Sequence, residues 1–357
     1  MSTGNGVLKG RGATLNPAGR FATTTHDSVD DGWYQESVPD SIATEVRPEV
    51  ARSIISRNDS PDIPFTQSIN PYRGCEHGCI YCYARPSHAY LDLSPGIDFE
   101  TRLLYKVDAA RLLRAELARP GYRCEPIMLG ANTDPYQPVE KRLRVTRDIL
   151  EVLLQTRHPV TVITKGTLVL RDLDLLQELS SMNLVRVTVS LTTLDPELKR
   201  TLEPRAASPQ ARLRVISELS RVGVPVSVLA APLIPAVNDA ELEQLLSAAA
   251  VAGATRAGYV LLRLPYEVKE LFRAWLEQHL PLRAEHVMSL VQQARGGRDN
   301  DPRFGMRMRG TGPWAEMLRA RFELARKRLG LNADRNPELD TARFCPPRGN
   351  GQLELAW

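Results

Sequence analysis

Between Asn70 and Pro86 the chain reads NPYRGCEHGCIYCYARP. Cys75, Cys79 and Cys82 fall in the spacing C-x3-C-x2-C, whereas Cys124 and Cys345 stand far from them. Five cysteines, an odd number with three clustered, do not make a disulfide framework; they suit a reducing cytoplasm and metal or redox chemistry. With Gly74, Gly78 and polar residues beside them, the three cannot all be core residues. Two metal readings follow. A zinc ion would need a fourth ligand from His77, Cys124 or Cys345, yet structural zinc sites ordinarily draw on two C-x2-C knuckles and only one partial knuckle is present. A cubane [4Fe–4S] cluster on three thiolates would leave one iron open to an external ligand, the arrangement a catalytic cluster requires; an electron carrier would use four cysteines.

The elements that must position this loop are read from periodicity. Short β-branched or apolar runs recur around Thr66–Ile69 and at Pro126–Leu129, Val160–Thr164, Val185–Leu191, Val224–Leu229 and Tyr259–Leu262. Helix-period segments lie between them at Val107–Ala118, Leu143–Gln155, Leu170–Ser180, Pro209–Val222 and Asp239–Ala252. Ser208-Pro209 reads as an N-cap with a first-turn proline, Asn238-Asp239 as a helix opening, and Gly223 and Gly253 as helix stops. Strands alternating with helices imply βα units and a parallel sheet. About six units are too few for a closed eightfold barrel and enough for a partial one, with an open doubly wound sheet as the alternative. Either fold binds ligands at the C-terminal ends of its strands, and the cysteine loop follows the first strand, so it belongs at that end.

The expected organisation is α/β: a partial (β/α)6 TIM-like barrel over 61–295, preceded by a largely irregular N-terminal arm, 1–60, and followed by a helical extension and tail, 296–357. A short helix is expected near Val46–Ser56, and the Trp33-Tyr34 pair is expected to anchor the arm on the core. Further helices are read at Glu267–His279, Arg283–Ala294 and Pro313–Leu329. Over 357 residues the chain is 43% hydrophobic and 25% charged, with a net charge of +4, ordinary for a globular protein and too slightly basic to argue for nucleic acid. No signal-like start and no membrane-length apolar run is present, so a cytoplasmic monomer is expected.

The stretch NPYRGCEHGCIYCYAR, with Tyr81 before the last cysteine and TDPYQPVE, LEPRAASPQARL and APLIPAVND downstream, resembles the radical S-adenosylmethionine (SAM) superfamily. Within it the chain is similar to the spore-photoproduct-lyase-like branch, whose members are often labelled DNA repair photolyases. The resemblance runs from about Phe65 to Arg309. It implies a [4Fe–4S] cluster held by Cys75, Cys79 and Cys82, SAM on the open iron, cleavage of SAM to a 5′-deoxyadenosyl radical, and a flavodoxin or ferredoxin as electron donor. The zinc-stabilised binding module without SAM chemistry is the alternative.

By position the resemblance assigns Asn132, Thr133 and Asp134 to the SAM ammonium, although the same residues make ordinary turns. Thr164, Lys165, Ser190 and Thr192 end the third and fourth strands, where family members contact the ribose or carboxylate, and a Ser or Thr there also serves as a helix cap. Glu203 and Arg205 would bind the SAM carboxylate or form a surface ion pair, Tyr81 flanks the cluster, and Pro232 and Ile234 in APLI match where adenine packs. In spore photoproduct lyase a cysteine just before the segment matching Thr133-Asp134 returns hydrogen to the product radical. Here that neighbourhood is Gly130-Ala131-Asn132, so reversal of the spore lesion is not expected and no catalytic side chain is named. The run Ala294–Gly310, with Arg295, Arg298, Arg303, Arg307 and Arg309 around Phe304, reads either as a phosphate-contacting loop for a nucleic-acid substrate or as a solvated loop.

Overall fold

The computed structural model describes residues 9–22, 41–333 and 338–347. Six strands form one parallel array: β3 (Gln67–Ile69), β6 (Ile127–Leu129), β7 (Val160–Thr164), β8 (Val185–Ser190), β9 (Val226–Leu233) and β10 (Arg256–Leu261). They pair in the order of the chain, with β2 (Ile55–Arg57) added antiparallel beside β3. A doubly wound sheet would reverse its strand order at a switch point; this one never does. It therefore winds in one sense as a barrel does, and with β2 and β10 left as edges it stays a partial (β/α)6 barrel.

The two faces of each strand divide cleanly. In β8, Val185, Val187 and Val189 are buried against the helices, while Arg186 and Thr188 on the other face are only half-buried. Thr161, Ile163, Ser227 and Leu229 continue that half-buried face on β7 and β9. A closed eight-stranded barrel fills its interior with side chains; this inner face retains space. The helices Val145–Gln155, Leu173–Ser181, Pro209–Arg221 and Leu242–Val251 cover the outside. Ser208 caps the third of these, accepting the Ala211 N–H at 3.2 Å with Pro209 in the first turn, and Gly223 ends it at φ +79°.

One expectation changes. The segment expected to be a helix near Val46–Ser56 is extended: β1 (Glu45–Glu49) pairs parallel with β5 (Arg102–Lys106), which pairs antiparallel with β4 (Tyr72–Arg73) in a separate three-stranded sheet. Pro48 forces Arg47 out of helical geometry and is tolerated because β1 is an edge. Asn238 opens the expected helix, whose first turn, Asp239–Glu241, is 3-10 and runs directly into Leu242–Val251. A helix missed from the sequence runs over Pro196–Leu202, capped by Asp195, which accepts the Glu197 N–H at 2.8 Å. The Trp33-Tyr34 pair lies outside the described residues. Beyond β10 the helices Val268–His279, Ala284–Gln293 and Gly312–Arg328 follow, the last packing Phe322 against Tyr259 at 4.7 Å between ring centroids.

Candidate functional site

The cysteine loop leaves the C-terminal end of β3 and is pinned on every side by groups other than its thiols. Cys75 N–H donates to Phe99 O at 2.9 Å and Ile80 N–H to Leu202 O at 3.0 Å. Gln137, fully buried, accepts from Glu76 N–H at 2.9 Å and donates to Gly74 O at 3.2 Å. Arg85, also fully buried, gathers the carbonyls of Cys79 (2.9 Å), Gly78 (3.2 Å) and Gly96 (2.8 Å) and pairs with Glu100 at 2.5 Å. The N-terminal segment then closes over the pair, Gly12 and Ala13 donating to Glu100 at 2.9 and 2.8 Å. A Cβ on Gly12 would stand 1.8 Å from Gly78 O, so only glycine permits that approach.

The three thiols are free, Cys75 and Cys79 buried and Cys82 half-buried. Burial, and then the Glu203 carboxylate, push the Cys79 thiol up to about 12; burial and Asp134 push Cys75 well above its ordinary value. Cys79 and Cys82 each raise Cys75 further, so the three feel one another's charge. The zinc reading lacks its fourth ligand. Cys124 precedes the N-terminal end of β6, and Cys345 donates its N–H to Thr156 O (2.8 Å) before β7, both at the opposite end of the sheet. His77 Nδ1 is directed at Asp134, 3.3 Å away. Among the described residues no three Cys, His, Asp or Glu side chains are gathered to hold a single ion. Thiolates on separate corners of a cubane do not share one coordination sphere, so the donor set fits the cluster better than one zinc.

The strand ends supply the surrounding polar groups. Asp134 accepts from Thr164 Oγ1 (2.7 Å), Lys165 N–H (2.6 Å) and Tyr136 N–H (2.8 Å), beside His77. Burial alone would raise this carboxyl, but His77 and the donated hydrogen bonds carry it down to about 2. Both of its oxygens are thus taken by the protein, so it ties the turn after β6 to the end of β7 and to the cysteine loop. Thr133 is likewise engaged, its hydroxyl donating to Tyr72 O at 2.8 Å, and Asn132 N–H donates to Asn70 Oδ1 at 2.8 Å while its side chain stays exposed.

Across the mouth, Lys165 Nζ donates to Ser190 Oγ at 3.0 Å and lies 4.0 Å from Glu203 Oε1. Thr192 Oγ1 lies 2.7 Å from Glu203 and 2.9 Å from Ala231 O, and Tyr81 also donates its hydroxyl to Glu203. Glu203 is fully buried with Arg212 as its partner; burial would raise it, and Arg212 and Lys165 hold it down to about 2. The ion pair read between Glu203 and Arg205 does not form: Arg205 pairs instead with Glu76 at 3.0 Å. Ile234 is buried in the apolar cluster that contains Cys79 and Tyr81, and Asn238 braces it, accepting Ile234 N–H (2.7 Å) and donating to Pro232 O (2.9 Å) and Thr192 O (2.7 Å). Arg212, Asn238, Gln137 and Arg85 thus join Glu203 around the cysteine loop as positioning residues. LEPRAASPQAR, PLIPAVND, TDPYQPVE and CYARP contain them, but nothing in a linear string marks which charge will be buried opposite which.

The basic loop behaves differently from its composition. Arg295 is 2% exposed and donates to Leu262 O (2.6 Å), Arg307 O (2.9 Å) and Met306 O (3.0 Å). Arg303 pairs with Asp301 at 2.7 Å and Arg307 with Asp62. Arg298 and Arg309 remain exposed.

The family model described as the radical SAM superfamily matches residues 69–249. An uncharacterized protein of Mycobacterium tuberculosis is 42% identical over 221 residues, covering 61% of this chain and 65% of that protein, so the match spans less than two thirds of its length. An uncharacterized protein of Methanocaldococcus jannaschii is 27% identical over 216 residues, covering 60% of this chain and 76% of that one. Among solved structures, spore photoproduct lyase complexed with dinucleoside spore photoproduct superposes with a TM-score of 0.57 at 15% identity, covering 80% of each chain; at that identity the likeness is one of fold.

Proposed function

The chain belongs to the radical SAM superfamily, and from that premise we propose that it is an enzyme using a [4Fe–4S] cluster on Cys75, Cys79 and Cys82 together with SAM. When bound, these groups supply one-electron reductive cleavage of the SAM sulfonium and a 5′-deoxyadenosyl radical that takes hydrogen from a substrate. The observation that carries the proposal is the cysteine loop itself: its backbone and neighbouring side chains are satisfied by the protein, and its three thiols are left over at the C-terminal end of the first barrel strand.

The chain's own residues position and exclude. Arg85, Glu100 and Gln137 hold the loop, and the segment at Gly12 shields it. Asp134 fixes the turn after β6, the segment that would hold the SAM ammonium. Lys165, Ser190, Thr192 and the Glu203–Arg212 pair fix the charge at the ends of β7 and β8, and Pro232 and Ile234 would back the adenine of SAM. Arg205, paired with Glu76, helps orient the loop and keeps part of its side chain exposed, where it would read the SAM carboxylate. A flavodoxin or ferredoxin is the proposed reductant. A monomer in the cytoplasm is proposed, and no helix among the described residues is long and apolar enough to cross a membrane. The basic loop offers less to a nucleic acid than its five arginines suggest, so nucleic acid stands as one candidate substrate.

Anaerobic reconstitution tests the proposal: about four iron and four sulfide per chain, and slow release of 5′-deoxyadenosine from SAM after reduction, are expected. Colourless protein carrying one zinc would replace it with the binding module.

A further inference from the structure

Arg263 stands two residues past the end of β10, at the mouth of the barrel. Its guanidinium lies 5.5 Å from the ring centroid of Tyr83, the residue directly after Cys82, and Tyr83 is 46% exposed. Tyr83 in turn donates its hydroxyl to Ala131 O in the turn after β6. Arg263 therefore lies where the last strand, the cysteine loop and the second barrel strand meet.

Its hydrogen bonding is incomplete. Nη1 approaches Met308 Sδ at 3.8 Å, a weak acceptor, and Nε is shut off from solvent without a partner among the described residues. The nearby carboxylates are already engaged: Asp62 accepts from Arg307 and from Gly305 N–H (2.6 Å), and Asp301 accepts from Arg303 (2.7 Å). Arg295 adds a second cation beside Arg263 and spends its donors on backbone carbonyls. Arginines thus outnumber carboxylates here, with Asp62 shared between Arg307 and Arg263, and a guanidinium whose Nη groups meet no strong acceptor among the described residues can pair with an oxyanion through them.

We infer that Arg263 is an oxyanion-binding residue of the substrate site, taking a phosphate or carboxylate group of the substrate beside Tyr83. Only the word substrate rests on the proposed radical chemistry; the anion site itself rests on the geometry of Arg263.

Isothermal titration of the reconstituted full chain with sodium pyrophosphate and with sodium succinate, at low salt, tests it. Saturable binding of at least one anion is expected, and the anion preferred identifies the group as phosphate or carboxylate. Arg263→Gln should weaken that binding at least tenfold and Arg263→Lys less, with Arg221→Gln, an exposed change on an outer helix, matching the parent. SAM affinity should be unchanged in Arg263→Gln. Absence of anion binding in the parent, or equal binding in Arg263→Gln, overturns the inference. A tenfold loss of SAM affinity also overturns it, by making the cofactor's own carboxylate the occupant. Iron content and SAM cleavage, measured on the same preparations, report separately on the radical reading, so either idea can fail alone.

Discussion

The cysteine loop and the arginine-rich loop both border the barrel mouth, and they use their polar groups in opposite ways. Around the cysteines, Arg85 and Gln137 absorb carbonyls and an N–H of the loop and Glu100 holds Arg85, leaving the three thiols free. In the arginine loop the conspicuous side chains are the ones consumed: Arg295 by backbone carbonyls, Arg303 by Asp301, Arg307 by Asp62. A run of charges is therefore a poor guide to a binding surface, because each charge first seeks compensation inside the fold. A cluster of thiols is a better guide, because thiols are weak hydrogen-bonding groups and the fold has little other use for three together.

The sharpest way to break that contrast is to exchange thiols. Cys79→Ala should abolish or cripple cluster assembly, read as iron and sulfide per chain, while Cys124→Ala and Cys345→Ala should leave it intact. Equal iron loss from Cys345→Ala would show that a thiol at the other end of the sheet is in play and undo the open-iron reading.

Next in size is the support beneath the loop. Glu100→Gln leaves Arg85 buried without its carboxylate and weakens the hold on Gly12 and Ala13, which should cost about 3–5 kcal/mol of unfolding free energy in urea melts. A loss under 1 kcal/mol would mean that the backbone hydrogen bonds hold the loop by themselves.

Asp134→Ala comes third. With both oxygens taken by protein donors, its loss should cost about 1–3 kcal/mol and loosen the cysteine loop through His77, and thereby lower iron retention. Unaltered stability and iron with weakened SAM binding would restore Asp134 as a direct cofactor ligand.

The finest test lies within the basic loop. Arg295→Ala should cost about 2–3 kcal/mol because several buried carbonyls lose their donor, whereas exposed Arg298→Ala should stay within about 0.5 kcal/mol. If Arg295→Ala spares stability and flattens the salt dependence of oligonucleotide binding, the loop is a phosphate reader after all.

The chain by itself determined the alternation of strands and helices, the clustering of three cysteines and their place after the first strand, because these depend on local periodicity and on residue types with few alternative uses. Ser208-Pro209 and Gly223 marked helix ends for the same reason: their effects are confined to a single turn. Only the tertiary structure decided between barrel-like winding and a doubly wound sheet, since strand order is a matter of pairing between distant segments. It also separated Glu203 from Arg205 and joined it to Arg212, extended the segment around Pro48, and turned Asp134 inward. A charged side chain can reach any of several partners from its place in the string. Which one it takes depends on which surfaces the fold removes from water, and that is settled only when the strands, the cysteine loop and the N-terminal segment meet.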